Sequence, residues 1–505
     1  MRSALAILPG ISSDDTTFAS EGRWADGNNM RPWRGSMQTI GGWAFAVDDI
    51  DGVCRNVMPW NDLAGTTNVA FGTHSHLHVF VNGDLYDITP SSGYTAGAVD
   101  GAGGPGFGAG AYGEGEYGET SDSNYFPATW SLANWGEMLL ACPRHQTIFL
   151  WENDTGTPAA AITNAPDNIT YMLMSAERRQ VLAFGCNEVS SGTFNPRCIR
   201  GSDLADYTNW TPSSTNSSFE YVLPGNGGRI VGARSLGTYI VVWTDDELWL
   251  GQFTGDASIY RWDRVAQHCG LAGPNAAQVI NQKVFWVTPD FQFYFWSPGV
   301  EPSLVDCPIR NEFRGNIAQA QYDKIAATSV GQYGEVWFFY PDARDGTECS
   351  RYVALSTQGG QWFRGEMARS ACVDGGPTEY PIFVTPEGTA YWHENGNSAD
   401  GGVLDWHLTT ADQYVEEGGR SVFVRSIYPD FEDQQGPISM ALTLRSAPQS
   451  SVTYSKGPFT LLASQRKRDF RANARVMNAR FSGSSAPAFA RFGKPAFDVV
   501  IAGER

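Results

Sequence analysis

Short apolar runs recur in pairs along the chain, each pair separated by a polar turn. "VAFG" at 69 is followed by "LHVFV" at 77, "LLAC" at 139 by "IFLW" at 148, and "IVVW" at 240 by "LWLG" at 248. "VFWV" at 284 is followed by "FYFW" at 293, and "IFV" at 382 by "AYWH" at 390. Two further pairs have longer connections, "VLAF" at 181 with "CIRG" at 198 and "VWFF" at 336 with "YVAL" at 352. Five of the seven pairs start eight or nine residues apart, which leaves a four- or five-residue turn after a four-residue strand and is hairpin spacing. The turns "TDDE", "TPDFQ" and "TPEGT" carry Pro and Asp early and Gly late, as reverse turns require.

From 69 to 382 the first strands advance by about 52 residues per step, close to the period of kelch-type propeller blades. One hairpin cannot bury both faces, so units of this kind are arranged radially or stacked. The pattern predicts an all-β chain built on a β-propeller of about seven units, with six to eight as the range. The runner-up is a pair of stacked β-sandwiches. Residues 1–60 read as an extended arm with hairpins, 61–400 as the propeller with an insertion at 91–120, and 401–505 as an antiparallel sheet or sandwich.

The insertion fills the longest step and contains "PGFGAGAYGEGEYGET" (105–120), in which Phe107, Tyr112 and Tyr117 each precede a glycine. A phosphate-cradling loop needs a lysine and a following helix; this stretch has no lysine and three glutamates. An aromatic at every fifth position is foreign to a flexible linker. These three rings are therefore expected to be anchored against protein, within a subunit or between subunits.

Charge changes the functional picture. The 505 residues include 54 acidic and 35 basic ones, a net of −19, which disfavours tight, sequence-independent gripping of nucleic acid. No stretch reaches the roughly 20 apolar residues of a membrane helix, and "MRSALAILPG" lacks a secretory apolar core, so no export signal is expected. Eight scattered cysteines show no metal-type spacing and read as buried free thiols of a reducing cytosol.

Candidate chemistry is sparse. His74, His76 and His78 alternate, which would place three imidazoles on one face of a strand or hairpin and offers a metal site, with a plain solvated face as the alternative. Acidic clusters at 48–51, 244–247 and 416–417 mark no special pair. The repeated Asp-box of sialidase propellers and a Gly-x-Ser-x-Gly nucleophile elbow are absent, so neither an enzyme nor a cofactor is expected. The one basic island, "SQRKRDFRANARVMNAR" (464–480), holds Arg466, Lys467, Arg468 and Arg471, read as a subunit contact ahead of a DNA contact or a charged strand edge.

The segments "EGRWADGNNMRPWRGSMQTIGGW" (21–43), "CRNVMPWNDLAGTTNVAFGTHSHLHVFVNGDLYDITP" (54–90) and the "YGEGEYGE" cycle resemble the tail nozzle proteins of short-tailed bacteriophages, also called tail tubular protein B or the packaged-DNA stabilisation protein. The resemblance covers roughly residues 7–120 and, more weakly, "RFGKPAFDVVIAGER" (491–505). It implies a structural virion protein, made in the host cytoplasm, that forms a hexameric ring at the distal end of the tail. That ring would lie below an adaptor ring, meet fibres or a needle, and enclose a lumen through which double-stranded DNA passes without tight binding. The family has no catalytic residues to transfer. The rival class is a monomeric propeller that binds or cleaves surface glycan.

Overall fold

The computed structural model describes residues 2–16, 19–101, 126–225, 228–256, 258–414, 421–447 and 450–501. Seven four-stranded antiparallel sheets follow one another along the chain as propeller blades. Blade 1 consists of Cys54–Asn61, Thr67–Thr73, Leu77–Val81 and Asp84–Asp87. Blades 2 to 6 lie at 130–161, 171–222, 230–267, 277–304 and 326–366. The first strand of each blade touches the first strand of the next, and that of blade 7 returns to that of blade 1, so the ring closes.

All seven hairpins legible in the sequence are the second and third strands of a blade. Those strands are sandwiched between neighbouring blades and must be apolar on both faces; Glu335–Pro341 of blade 6 is buried at every position. Some fourth strands are short and exposed, Ala160–Ala161 and Ser303–Leu304, whereas that of blade 4, Tyr260–Gln267, runs eight residues and that of blade 6, Trp362–Glu366, is mostly buried.

Blade 7 takes three strands from the end of the propeller segment, Ala371–Val373, Ile382–Val384 and Ala390–His393, and its fourth from the N-terminal part, Trp43–Val47. A three-stranded last blade would leave an open edge, and the N-terminal strand covers it. The propeller thus begins at residue 43, inside the stretch that the sequence pattern assigns to an arm.

The rest of that arm does form a hairpin, Met30–Trp33 with Ser36–Thr39, and it is woven into the C-terminal region. Arg2–Ala4 pairs with Ala496–Ile501, Trp24–Asn28 with Trp406–Thr410, and Ser36–Thr39 with Phe489–Phe492. The C-terminal body consists of a four-stranded, a six-stranded and a second four-stranded sheet, with Val424, Ile427, Met440, Leu442, Phe481 and Phe497 in its core. That core runs without a break into blades 4 to 7.

Polar contacts weld the two bodies together. The Ile11 amide donates to the Trp362 carbonyl at 2.8 Å, and the Tyr352 hydroxyl to Asn29 Oδ1 at 3.1 Å. Arg31, with no exposed surface, grips Glu394 with both terminal nitrogens and lies 3.4 Å from Glu335 through Nε. Such a buried cation persists because two carboxylates meet its charge on site and Glu394 takes both terminal nitrogens. Seven of the eight cysteines are buried and all are free thiols.

Candidate functional site

The axis of the propeller is the first place where charged side chains meet. Arg144, between the second and third strands of blade 2, donates to Asp323 at 2.7 Å, with 2% and 8% of the two side chains exposed. Asp323 belongs to a short 3-10 helix, Gln319–Lys324, just ahead of blade 6. In a ring of seven, blades 2 and 6 are three steps apart, the largest separation available, so this ion pair spans the axis.

More bonds cross at the same mouth. Arg55, at the start of blade 1, holds Glu348 of blade 6 through two bonds of 2.6 and 2.7 Å. Lys324, its side chain wholly buried, donates to Glu348 at 2.8 Å, to Asp100 at 2.5 Å and to the Thr347 carbonyl at 2.9 Å. Asn275, ahead of blade 5, donates to the Arg55 carbonyl at 2.9 Å. Gln321 exchanges two hydrogen bonds with the backbone of Gly101, at 2.9 and 3.0 Å. Paired charges therefore cross the propeller axis at this end.

The residues that flank the glycine-aromatic cycle are anchored here. Gly101 is tied to Gln321, and the Phe126 ring sits 4.4 Å from the guanidinium of Arg144 and 4.0 Å from that of Arg229, a double cation–π contact. Phe107, Tyr112 and Tyr117 themselves lie outside the described residues, as do Glu416 and Glu417.

The histidine triplet is not a flat face. It falls on the turn between Thr67–Thr73 and Leu77–Val81, and the turn breaks the alternation. His74 Nδ1 accepts the Val53 N–H at 3.0 Å, His76 Nδ1 meets the Ser75 hydroxyl at 2.9 Å, and only His78 stands on a strand, where it is buried. Burial pushes His74 and His78 below the usual histidine range. Among the described residues no three His, Cys, Asp or Glu side chains are grouped to hold a metal ion.

Glu247 of the "TDDE" turn is structural. Burial alone would raise its carboxyl, but bonds from Arg197, Trp249 and Arg264 outweigh it and hold the group down at about 2.

The basic island forms a second surface. Arg466 and Lys467 stand exposed on the turn that joins strand Thr453–Leu461 to strand Arg468–Ala474, Arg471 is exposed on the latter strand, and Arg468 is half-buried. Both strands are sheet edges, each paired on one side alone. Thr453–Leu461 is exposed along most of its length, with Tyr454 at 63% and the neighbouring Val452 at 56%. Lys467 is paired with Asp469 at 2.7 Å. Residues 403–505 carry 13 basic against 10 acidic side chains, a net of +3, which leaves −22 on the remainder.

The structure brings Arg466, Lys467, Arg468 and Arg471 together. It also reveals a charged group that the sequence did not flag, Arg55, Arg144, Asp323, Lys324 and Glu348, because its members are scattered over the chain and carry no spacing motif.

No known sequence family matches this chain, and no curated protein does. Two similar solved structures are the computationally designed Ika8 protein, 12% identical over 76% of this chain and 99% of that one with a TM-score of 0.39, and the β-propeller domain of Cps50 (Swd1) from Myceliophteria thermophila, 8% identical over 69% and 99% with a TM-score of 0.41. Likeness at this level carries no argument of its own; the propeller rests on the strand pairings and the closed ring.

Proposed function

We propose that this chain is a structural component of a phage tail, a nozzle subunit whose copies form a ring around a lumen for double-stranded DNA, retain the packaged genome and release it on host contact. The observation that carries the reading is the plugged axis combined with the split in charge. Arg144–Asp323 and Arg55–Glu348 cross the propeller axis, which favours a conduit between copies over one through each propeller. The net-positive segment 403–505, with its exposed basic turn, and the strongly acidic remainder give opposite signs for copies to meet head to tail, the arrangement that closes rings. Acidic lumen walls would make few counterion-releasing contacts with passing DNA.

An adaptor ring above and fibres or a needle below complete the assembly, which is built in the host cytoplasm and resides in the virion tail. No helix among the described residues is long and apolar enough to cross a membrane. Mass measurement of the chain, alone and with its adaptor, tests the reading: closed oligomers are expected, together with weak binding of duplex DNA. A chain that stays monomeric with its adaptor present, or that binds duplex tightly with a steep salt dependence, contradicts it.

A further inference from the structure

A cleft of about 400 Å³ opens where the N-terminal hairpin meets blade 6. Its walls include Trp33 and Arg34 from the hairpin, Tyr333 from the turn ahead of strand Glu335–Pro341, and Gln358 and Gln361 from the turn ahead of strand Trp362–Glu366. From these residues we infer that the cleft is a binding site for a saccharide unit bearing a carboxylate, such as a uronic acid within a surface polysaccharide.

The walls are fixed in advance. Arg34 and Gly35 form the two-residue hairpin loop with φ of 48° and 81°, the double left-handed pattern of a type I′ turn, which sets the direction of Trp33. Trp33 and Tyr333 meet edge to face with centroids 5.1 Å apart. Behind Tyr333 the Arg31 guanidinium lies 3.8 Å from its ring and anchors it to the buried Glu335 and Glu394. Preformed clefts of this volume, at the seam of two bodies and with aromatic walls, suit small ligands.

The polar groups define the ligand. The amides of Gln358 and Gln361, exposed and half-buried respectively, make no side-chain hydrogen bond among the described residues. Each amide offers both donor and acceptor, which is what sugar hydroxyls require, and a half-buried indole such as Trp33 offers its π face to the C–H face of a pyranose. Arg34 is exposed and has no ion pair among the described residues; its guanidinium lies 5.2 Å from the Trp33 ring. None of the described lining residues is acidic, although the chain carries 54 acidic residues. A guanidinium with free donors beside a stacking ring selects a carboxylate. A proline-rich segment would also fit against Pro9, Pro32 and Trp33, but its prolines carry no N–H, so it meets the amide donors and leaves the amide acceptors without partners.

The inference goes beyond the nozzle reading and holds for a ring or a monomer, so oligomeric mass is recorded as a separate readout. The test is calorimetric titration of the full chain with a glucuronic-acid-containing disaccharide, its neutral glucose counterpart and a proline-rich peptide, on wild type and on Trp33→Ala, Arg34→Ala and Gln358→Ala. The acidic disaccharide is expected to bind best. Arg34→Ala should erase its advantage over the neutral one, Gln358→Ala should weaken both roughly fivefold to tenfold, and Trp33→Ala should abolish both. The two exposed-residue variants keep the test valid if Trp33→Ala fails to fold. Absence of disaccharide binding at millimolar concentration, equal binding by all variants, or binding of the peptide alone overturns the inference.

Discussion

At the scale of single residues, Glu335 couples the junction of the two bodies to pH. Burial pushes its carboxyl up, and although the Arg31 charge pulls it back the group settles at about 7, above its ordinary 4.5. Between those values the folded chain holds a proton that the unfolded chain releases, so this group's contribution to stability falls as pH rises from about 4.5 to 7 and is level above 7. Glu335→Gln removes that dependence. Its stability relative to wild type should therefore improve by on the order of 1–3 kcal/mol between pH 5 and pH 7.5, read by urea titration at each pH; a constant difference would show that Glu335 ionises normally.

The axial plug supplies a second residue-scale prediction. Arg144→Ala leaves Asp323 buried with its chief partner gone, a loss of about 3 kcal/mol. Lys467→Ala removes an exposed partner of Asp469 and should leave the melting temperature nearly unchanged. Thermal denaturation of the two variants side by side checks the contrast.

At the scale of elements, the closing strand Trp43–Val47 decides whether the ring stays shut. It is delivered through Gly42, where an added Cβ would come within 2.2 Å of the Ser398 carbonyl oxygen and 2.5 Å of its backbone nitrogen. Gly42→Ala therefore displaces backbone, at a cost of about 1–3 kcal/mol. Hydrogen exchange should speed up in blade 7, within 371–393, and stay unchanged in blades 3 and 4. Uniform acceleration would mean that the ring opens as one unit.

What the sequence made legible follows from the same geometry. The middle strands of every blade are apolar on both faces, so they stand out as runs. The first strands, such as Ala326–Val330, and the outer pairs, such as Ser303–Leu304, are short or mixed in polarity and do not. The splice of the arm into the C-terminal sheets was invisible because pairing between residues 2–39 and 406–498 leaves no local signature. The basic turn could be read because its charges are contiguous; the axial ion pairs and the aromatic cleft could not, since each draws residues from distant segments.

At the scale of the whole molecule, an acidic propeller joins a net-positive C-terminal body, and the proposed conduit lies between copies. Reversing the basic turn, with Arg466→Glu, Lys467→Glu and Arg471→Glu together, is expected to leave the melting temperature nearly unchanged because these side chains are exposed, while abolishing any closed oligomer seen by mass measurement. A folded variant that still assembles would remove this turn from the interface. Electron microscopy of particles assembled with this chain tests the proposed ring. A ring of six copies at the distal end is expected, with density for DNA in the lumen between subunits and none through the propeller axes. Single copies on fibre tips, or an open propeller axis threaded by the genome, would contradict it.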